Sequence, residues 1–441
     1  MLMNQSLFEK ALDQALGNLT PVAVKGRVHE AIGTLIKVTG LNAKIGELCE
    51  VRLTGGKTLL AEVVGFQKQI AILSPYGSMQ GISGTTEVLP LGRTHEVPVG
   101  YGLLGRILDG LGNPIDGGES VDDLPKTSVY KGAPHPLKRQ MVNQPHETGV
   151  KCLDGLLTIG QGQRVGIFAP AGAGKSTLMG MLAKGKSSIN VIALIGERGR
   201  EVREFVEHAL GPEGLERSVL VIATSDKSSV ERAKCAYVAT AIAEYFRDQG
   251  EQVLLMMDSL TRFARAIREI GLASGEPPTR RGFPPSVFAE LPQLLERSGQ
   301  GERGFITAFY TTLVEGEDDG SDPIAEEVRS ILDGHIILSR AIAAKGIYPA
   351  IDVLGSASRV MTNVVNRDHV DAAVKFKSLM AKYNEVEFLL KIGEFKKGGD
   401  RLADVAVDNI AGIQAFLSQR TDELFDFQES LAQMSKIAAQ V

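Results

Sequence analysis

The stretch that decides the fold runs Arg164-Val165-Gly166-Ile167-Phe168-Ala169-Pro170-Ala171-Gly172-Ala173-Gly174-Lys175-Ser176-Thr177-Leu178. It reads as an apolar strand, a loop of small residues, and a helix start. The loop matches the phosphate-loop pattern with one departure, Ala169 in place of the usual first Gly. Small residues let backbone N–H groups turn inward around a phosphate, and the helix N-terminus adds positive dipole character. In that pattern Ala169 to Thr177 cradle a nucleotide, Lys175 reaches the β- and γ-phosphates, and Ser176 offers its hydroxyl to Mg²⁺. Ala still leaves room for the ligand.

Working outward, the same alternation of short apolar runs and helical patterns continues from about Gly160 to Leu354. The runs are Asn190–Ile195, Ser218–Ala223, Gln252–Met257, Phe305–Thr311 and Gly334–Leu338. Helical patterns such as Ala233–Asp248 and Pro323–Leu332 separate most of them. This alternation predicts a buried parallel sheet with helices on both faces. Gln252–Met257 ends at Asp258, the form of a strand-terminal carboxylate that holds the Mg²⁺ shell; its plainer reading is a cap on the next helix. Glu197 sits just past Asn190–Ile195. Both carboxylates therefore fall at the carboxyl edge of the sheet, where ligands of open α/β folds bind. Glu197 suits polarisation of an attacking water, and Arg198 suits phosphate oxygens. The plainer reading of Glu197-Arg198 is a charged surface loop.

Before this core, Val22–Pro98 is rich in β-branched runs punctuated by Gly and Asn, the pattern of a small closed barrel of about six strands. Met1–Leu19 reads as an amphipathic helix with Leu7, Phe8, Leu12 and Leu16 on one stripe, suited to packing at home or to docking a partner. Gly105–Ala133 is dense in turn signals and reads as a linker with hairpin turns. From Arg367 onward, apolar residues recur at helical spacing, with breaks at Gly393 and Gly398-Gly399. The expected division is a docking helix (1–20), a β-barrel (21–98), a parallel-sheet phosphate-loop domain (99–360) and a helical domain (361–441).

Composition narrows the function classes. Among 441 residues, 43% are hydrophobic and 23% charged, which excludes a mostly disordered chain. A net charge of −5 argues against tight nonspecific nucleic-acid binding. The three cysteines, Cys49, Cys152 and Cys235, form no C-x-x-C pair, so neither a disulfide framework nor a zinc site is suggested, and a reducing cytoplasm fits. No signal peptide and no membrane span is expected. The histidines, the cysteines and Met256-Met257 read as structural.

Several stretches together resemble a known family. Gly105-Arg106-Ile107-Leu108-Asp109-Gly110, Gly196-Glu197-Arg198-Gly199-Arg200-Glu201, Asp258-Ser259-Leu260-Thr261-Arg262-Phe263, Gly275-Glu276-Pro277-Pro278, Gly282-Phe283-Pro284-Pro285 and Tyr348-Pro349-Ala350-Ile351-Asp352 are similar to the hexameric ATPases related to rotary ATP synthase. They are most similar to the ATPases of flagellar and type III protein secretion, a branch in which Ala169 is no departure.

The resemblance implies a RecA-like ATPase core between barrel and helices. It gives Lys175 and Ser176 to phosphate and Mg²⁺, with Glu197 as the catalytic carboxylate and Asp258 in the metal shell. Arg198 is assigned to the γ-phosphate, Tyr348 to stacking near adenine, and Arg359 to the neighbouring subunit's site as an arginine finger. From the residues alone, Tyr348 reads as a core or rim aromatic. Arg359 reads as an ion-pair partner of Asp352 or of a neighbour's carboxylate. Noncatalytic ring subunits carry Gln-Lys where this chain has Glu197-Arg198, which points to a catalytic subunit in a homohexamer.

The implied activity is Mg-ATP hydrolysis driving protein export, with chaperone release and substrate unfolding, peripheral to the inner membrane. The implied partners are a stator-like regulator at the N-terminus, a central stalk protein, export-gate membrane proteins and chaperone–substrate complexes. Three alternatives fit less well. A transcription-terminator-type RNA helicase needs stacking aromatics in its barrel, where only Phe66 and Tyr76 are available. The Gly196–Phe205 run and the Gly275–Pro285 loop speak against a rotary ATP synthase catalytic subunit. Lys175, Glu197 and Asp258 speak against an inert scaffold ring.

Overall fold

The computed structural model describes residues 24–314 and 322–440, and the expected N-terminal docking helix lies outside them. The chain forms two compact units that divide between His95 and Glu96.

The first unit is a closed six-stranded barrel. Its strands are β1 (Gly26–Ile32), β2 (Leu35–Thr39), β3 (Glu47–Arg52), β4 (Thr58–Gln67), β5 (Ile70–Pro75) and β6 (Glu87–Thr94), in the order β1-β2-β5-β4-β3-β6. Alternate side chains point inward: Val28, Ile36, Val38, Val51, Val63, Leu73 and Val88 fill the interior with Cys49. Closure leaves no free sheet edge.

The second unit is built on one sheet. Its strands, after the short pair β7 (Glu96–Pro98) and β9 (Lys126–Ser128), are β8 (Ile107–Asp109), β10 (Arg164–Ala169), β11 (Ile189–Glu197), β12 (Ser218–Thr224), β13 (Gln252–Asp258), β15 (Phe305–Leu313), β16 (Gly334–Leu338) and β17 (Ile351–Ser358). The two-residue β14 (Gly299–Gln300) pairs with β15. The order across the sheet is β17-β16-β10-β15-β13-β11-β12-β8, parallel except at β17.

The strands alternate between two apolar layers. Val191, Ala193 and Ile195 of β11 face one cluster, while Ile192 and Leu194 face the other. That period of two, with both faces buried, is why the parallel strands read as unbroken apolar runs. On the first face lie α5 (Ser229–Asp248), α6 (Leu260–Ala273) and α7 (Pro285–Leu295). On the second lies α2 (Lys175–Ala183), joined by the C-terminal helices α11 (Arg367–Lys391), α12 (Arg401–Leu417) and α13 (Phe427–Ala438) through Phe376, Leu379, Phe416 and Met434. Asn366, Asp400 and Asp426 cap those three helices.

The reading of Gly105–Ala133 as a linker is corrected here. Ile107–Asp109 forms the outer strand of the main sheet, parallel to β12, and Lys126–Ser128 pairs with Glu96–Pro98. The turn signals between them are real: Asp109 accepts from the N–H groups of Leu111 and Asn113. A bidentate Arg106–Asp116 pair at 2.7 and 2.8 Å pins the returning chain. Three-residue strands are too short to show a period. The three cysteines are free and buried, and Met256 and Met257 are fully buried. Among the described residues, no helix is long and apolar enough to cross a membrane.

Candidate active site

The site forms where β10, β11 and β13 end. Leaving β10 at Ala169, the chain turns through Pro170–Gly174 and enters α2 at Lys175. Gly172 and Gly174 stand at φ +81° and +86°, left-handed values that favour glycine, and Gly174 is the residue before the helix. This turn aims the N-terminus of a nine-residue helix at the cavity.

Two neighbouring strands bring the carboxylates. Register pairs Leu194 of β11 with Asp258 of β13, so Glu197 and Asp258 reach the same edge. Lys175 Nζ donates to Asp258 Oδ1 at 2.5 Å and lies 3.6 Å from Glu197 Oε1. Thr311 Oγ1, from β15, donates to that same Asp258 oxygen at 2.8 Å. Thr261 accepts from Leu313 N–H at 2.9 Å, which ties the end of β15 to α6. Asp258 is 3% and Glu197 7% exposed, so both charges sit largely out of water.

The electrostatics follow from that burial. Burial raises the Glu197 pKa to about 7, aided by repulsion from Asp258 and opposed by Lys175. Burial alone lowers the Lys175 pKa, but Asp258 and Glu197 outweigh it and the net shift is upward. The ammonium therefore stays charged and Glu197 titrates near neutrality.

A cavity of about 400 Å³ opens above these groups, lined by the Pro170–Thr177 turn, Glu197, Arg198, Glu201, Arg262 and Leu313. Two of its polar atoms are sealed from solvent without a hydrogen-bond partner, Glu197 Oε1 and Arg262 Nε. Ser176 and Glu197 line the cavity and Asp258 lies behind Lys175, and their hydroxyl and carboxylate oxygens are the hard donors that Mg²⁺ takes. The residues present fit that ion.

The remaining expected residues divide. Arg198 lines the cavity but its side chain is 75% exposed, and it lies 3.6 Å from Glu201. Tyr348 is 43% exposed and lies over the loop, its ring 3.7 Å from where a Cβ on Gly174 would stand. It lines an adjoining cavity with Thr177 and residues 418–423.

Arg359 is not brought to this site. Its N–H donates to Asp333 O, and Asp333 N–H donates to Arg164 O at the start of β10. It therefore stands at the opposite edge, the length of β10 away, roughly 15–20 Å at the rise of an extended strand. The ion pair with Asp352 does not form; Arg359 Nη2 donates to Arg329 O at 3.3 Å.

Reading the residues one by one missed Arg262, Glu201 and Thr311. Arg262 was inside a quoted motif, but nothing in its spacing says that its side chain crosses under Gly196, 3.3–3.4 Å from a Cβ placed there. Thr311 carried a signal only in being a hydroxyl at the end of an apolar strand.

Comparison with known proteins agrees with this architecture. The family model described as ATP synthase alpha/beta family, nucleotide-binding domain, matches residues 149–358. That family's beta-barrel domain matches 28–92, and the T3SS EscN ATPase C-terminal domain matches 365–436. The type 3 secretion system ATPase of Xanthomonas euvesicatoria is 58% identical over 439 residues, 99% of each chain. The flagellum-specific ATP synthase of Bacillus subtilis is 51% identical over 415 residues, 93% of this chain and 94% of that one. The assembled ATPase EscN of the enteropathogenic E. coli type III secretion system superposes with a TM-score of 0.89 at 47% identity, covering 94% of this chain and 100% of that chain. The chain thus belongs to the ATP synthase alpha/beta family, and within it to the ATPases of type III secretion and flagellar export.

Proposed function

We propose that the chain hydrolyses Mg-ATP in a homohexameric ring and uses the energy to drive type III or flagellar protein export, releasing chaperones and unfolding substrates. The observation that carries this reading is the convergence of Lys175, Glu197 and Asp258 at one sheet edge, with Arg359 at the other edge of the same sheet. A head-to-tail ring sets one edge of each subunit against the opposite edge of the next, so one kind of subunit supplies both halves of every site. The assembled form of EscN supports the ring, and the structure of EscN with its central stalk EscO supports a stalk partner. A stator-like regulator, export-gate proteins and a cytoplasmic seat beside the inner membrane complete the proposal.

In this mechanism the α2 N-terminus and Lys175 hold the β- and γ-phosphates. Ser176 and Asp258 would hold Mg²⁺, which would neutralise charge building on the phosphate oxygens. Thr311 keeps the Asp258 carboxylate turned toward the site. Glu197 orients a water whose oxygen bonds to the γ-phosphorus as the bond to the ADP oxygen breaks, and the carboxylate takes the water's proton. Its pKa near 7 suits a base working at neutral pH. Arg198, Arg262 and the neighbour's Arg359 balance the equatorial oxygens. An arginine finger contributes about 10³–10⁵ in rate, so an isolated subunit turns over poorly.

The test is Mg-dependent ATPase activity against protein concentration, with mass measured in parallel. Activity per subunit should rise as oligomers form and vanish in Lys175→Ala. A rate independent of concentration would contradict the ring, and activity surviving in Lys175→Ala would contradict the site.

A further inference from the structure

Beside the phosphate cavity lies a second space of about 610 Å³, bounded by Thr177, Gly346, Tyr348 and residues 418–423. Its walls are poorly held by packing. Tyr348 is 43% exposed, and residues 420–424 are all exposed. One residue of the segment is buried, Gln419, at 6% exposure.

The Gln419 amide is fully used. Its Oε1 accepts from Lys151 N–H at 2.9 Å, while its Nε2 donates to Gly149 O at 2.7 Å and to Glu423 O at 2.9 Å. An N–H on one side and two carbonyls on the other fix the amide's orientation. Its backbone N–H donates to Tyr348 O at 2.7 Å. One residue therefore ties three segments: the loop before α1 (Lys151–Leu156), the 418–423 turn, and the tyrosine that lies over Gly174.

We infer that Gln419 is the positioning residue of a nucleobase subsite, holding Tyr348 and the 418–423 turn as one unit so that both walls receive the base together. This rests on the reading of the chain as an ATPase. None of the hydrogen bonds that Gln419 makes goes to a phosphate-loop residue, so its contribution falls on the base and not on the phosphates. It also joins base occupancy to the turn between α12 and α13, giving the helical region a direct connection to the bound nucleotide.

The test uses Gln419→Ala and Gln419→Glu in the full chain, with ADP and inorganic tripolyphosphate as probes. Glu keeps the acceptor for Lys151 N–H but cannot donate to the two carbonyls. Losing two or three of these hydrogen bonds should weaken ADP binding about tenfold or more. KM for ATP should rise in parallel with kcat nearly constant, and tripolyphosphate affinity should be unchanged. Equal losses for ADP and tripolyphosphate, or no loss for either, would overturn the assignment. If the variants do not fold, amide exchange of wild-type Gln419 decides it: ADP should slow exchange and tripolyphosphate should not, and equal slowing refutes it. A wild type that neither binds ADP nor hydrolyses ATP would instead refute the ATPase reading.

Discussion

Glu197 is the residue on which the proposed chemistry turns, and its environment sets two opposed consequences. Burial and Asp258 raise its pKa to about 7. In the proposed mechanism the ionised form is the working base, so kcat/KM should climb as pH rises through about 7 and then level off. For stability the sign reverses. A group that binds its proton more tightly when folded contributes stability below its ordinary pKa of 4.5, and that contribution is lost as pH rises through about 7. Glu197→Gln should therefore lower kcat about 10²–10⁴-fold. It should keep nucleotide affinity and melt no lower than wild type at pH 8. Stopped-assay kinetics and a thermal melt at pH 6 and pH 8 check both halves. A variant that loses stability at pH 8 would show that the ionised carboxylate is held by contacts that outweigh its burial.

At the scale of elements, the strands that position the site were legible because they are buried on both faces. Gln252–Met257 and Phe305–Thr311 read from the chain almost as they stand, since no solvent face interrupts their bodies. The phosphate turn was legible because its glycines meet a backbone demand at φ above zero. Ile107–Asp109 was not, because a three-residue edge strand among turn residues has no period to detect. Arg262 and Gln419 were hidden for another reason: their roles depend on partners 66 residues away at Gly196 and 268 residues away at Lys151. The far edge of the sheet has its own anchor of this kind. Arg297, following α7, makes a bidentate pair with Glu244 of α5 at 2.8 and 2.8 Å and donates to Val129 O, with side chains 3% and 1% exposed. Breaking a buried pair leaves an uncompensated charge, so Glu244→Leu should cost about 3–5 kcal/mol in denaturant unfolding. Glu244→Leu with Arg297→Leu should recover much of it. A single variant within about 0.5 kcal/mol of wild type would mean that water reaches the pair.

The whole molecule explains why the two ends of the proposed catalytic apparatus lie apart. Lys175, Glu197 and Asp258 gather at the carboxyl edge of the sheet, while Arg359 follows β17, the strand that runs antiparallel. That single reversal carries the arginine to the amino edge, where it cannot serve its own site. The helical region packs on the same face of the sheet as α2, and its Gln419 turn holds the Tyr348 backbone. In the proposed ring, each subunit so arranged holds a site without a finger and a finger without a site, and ring closure would join them.

The most direct test mixes two inactive variants, Lys175→Ala and Arg359→Ala, and measures Mg-dependent ATPase activity under conditions where rings form. The first has a dead site and an intact arginine; the second has the converse. In randomly mixed rings about one interface in four joins an intact site to an intact arginine, so activity should return where neither variant alone has any. A mixture as inactive as its components, with mixed rings confirmed by mass, would contradict the claim that each site is completed by its neighbour.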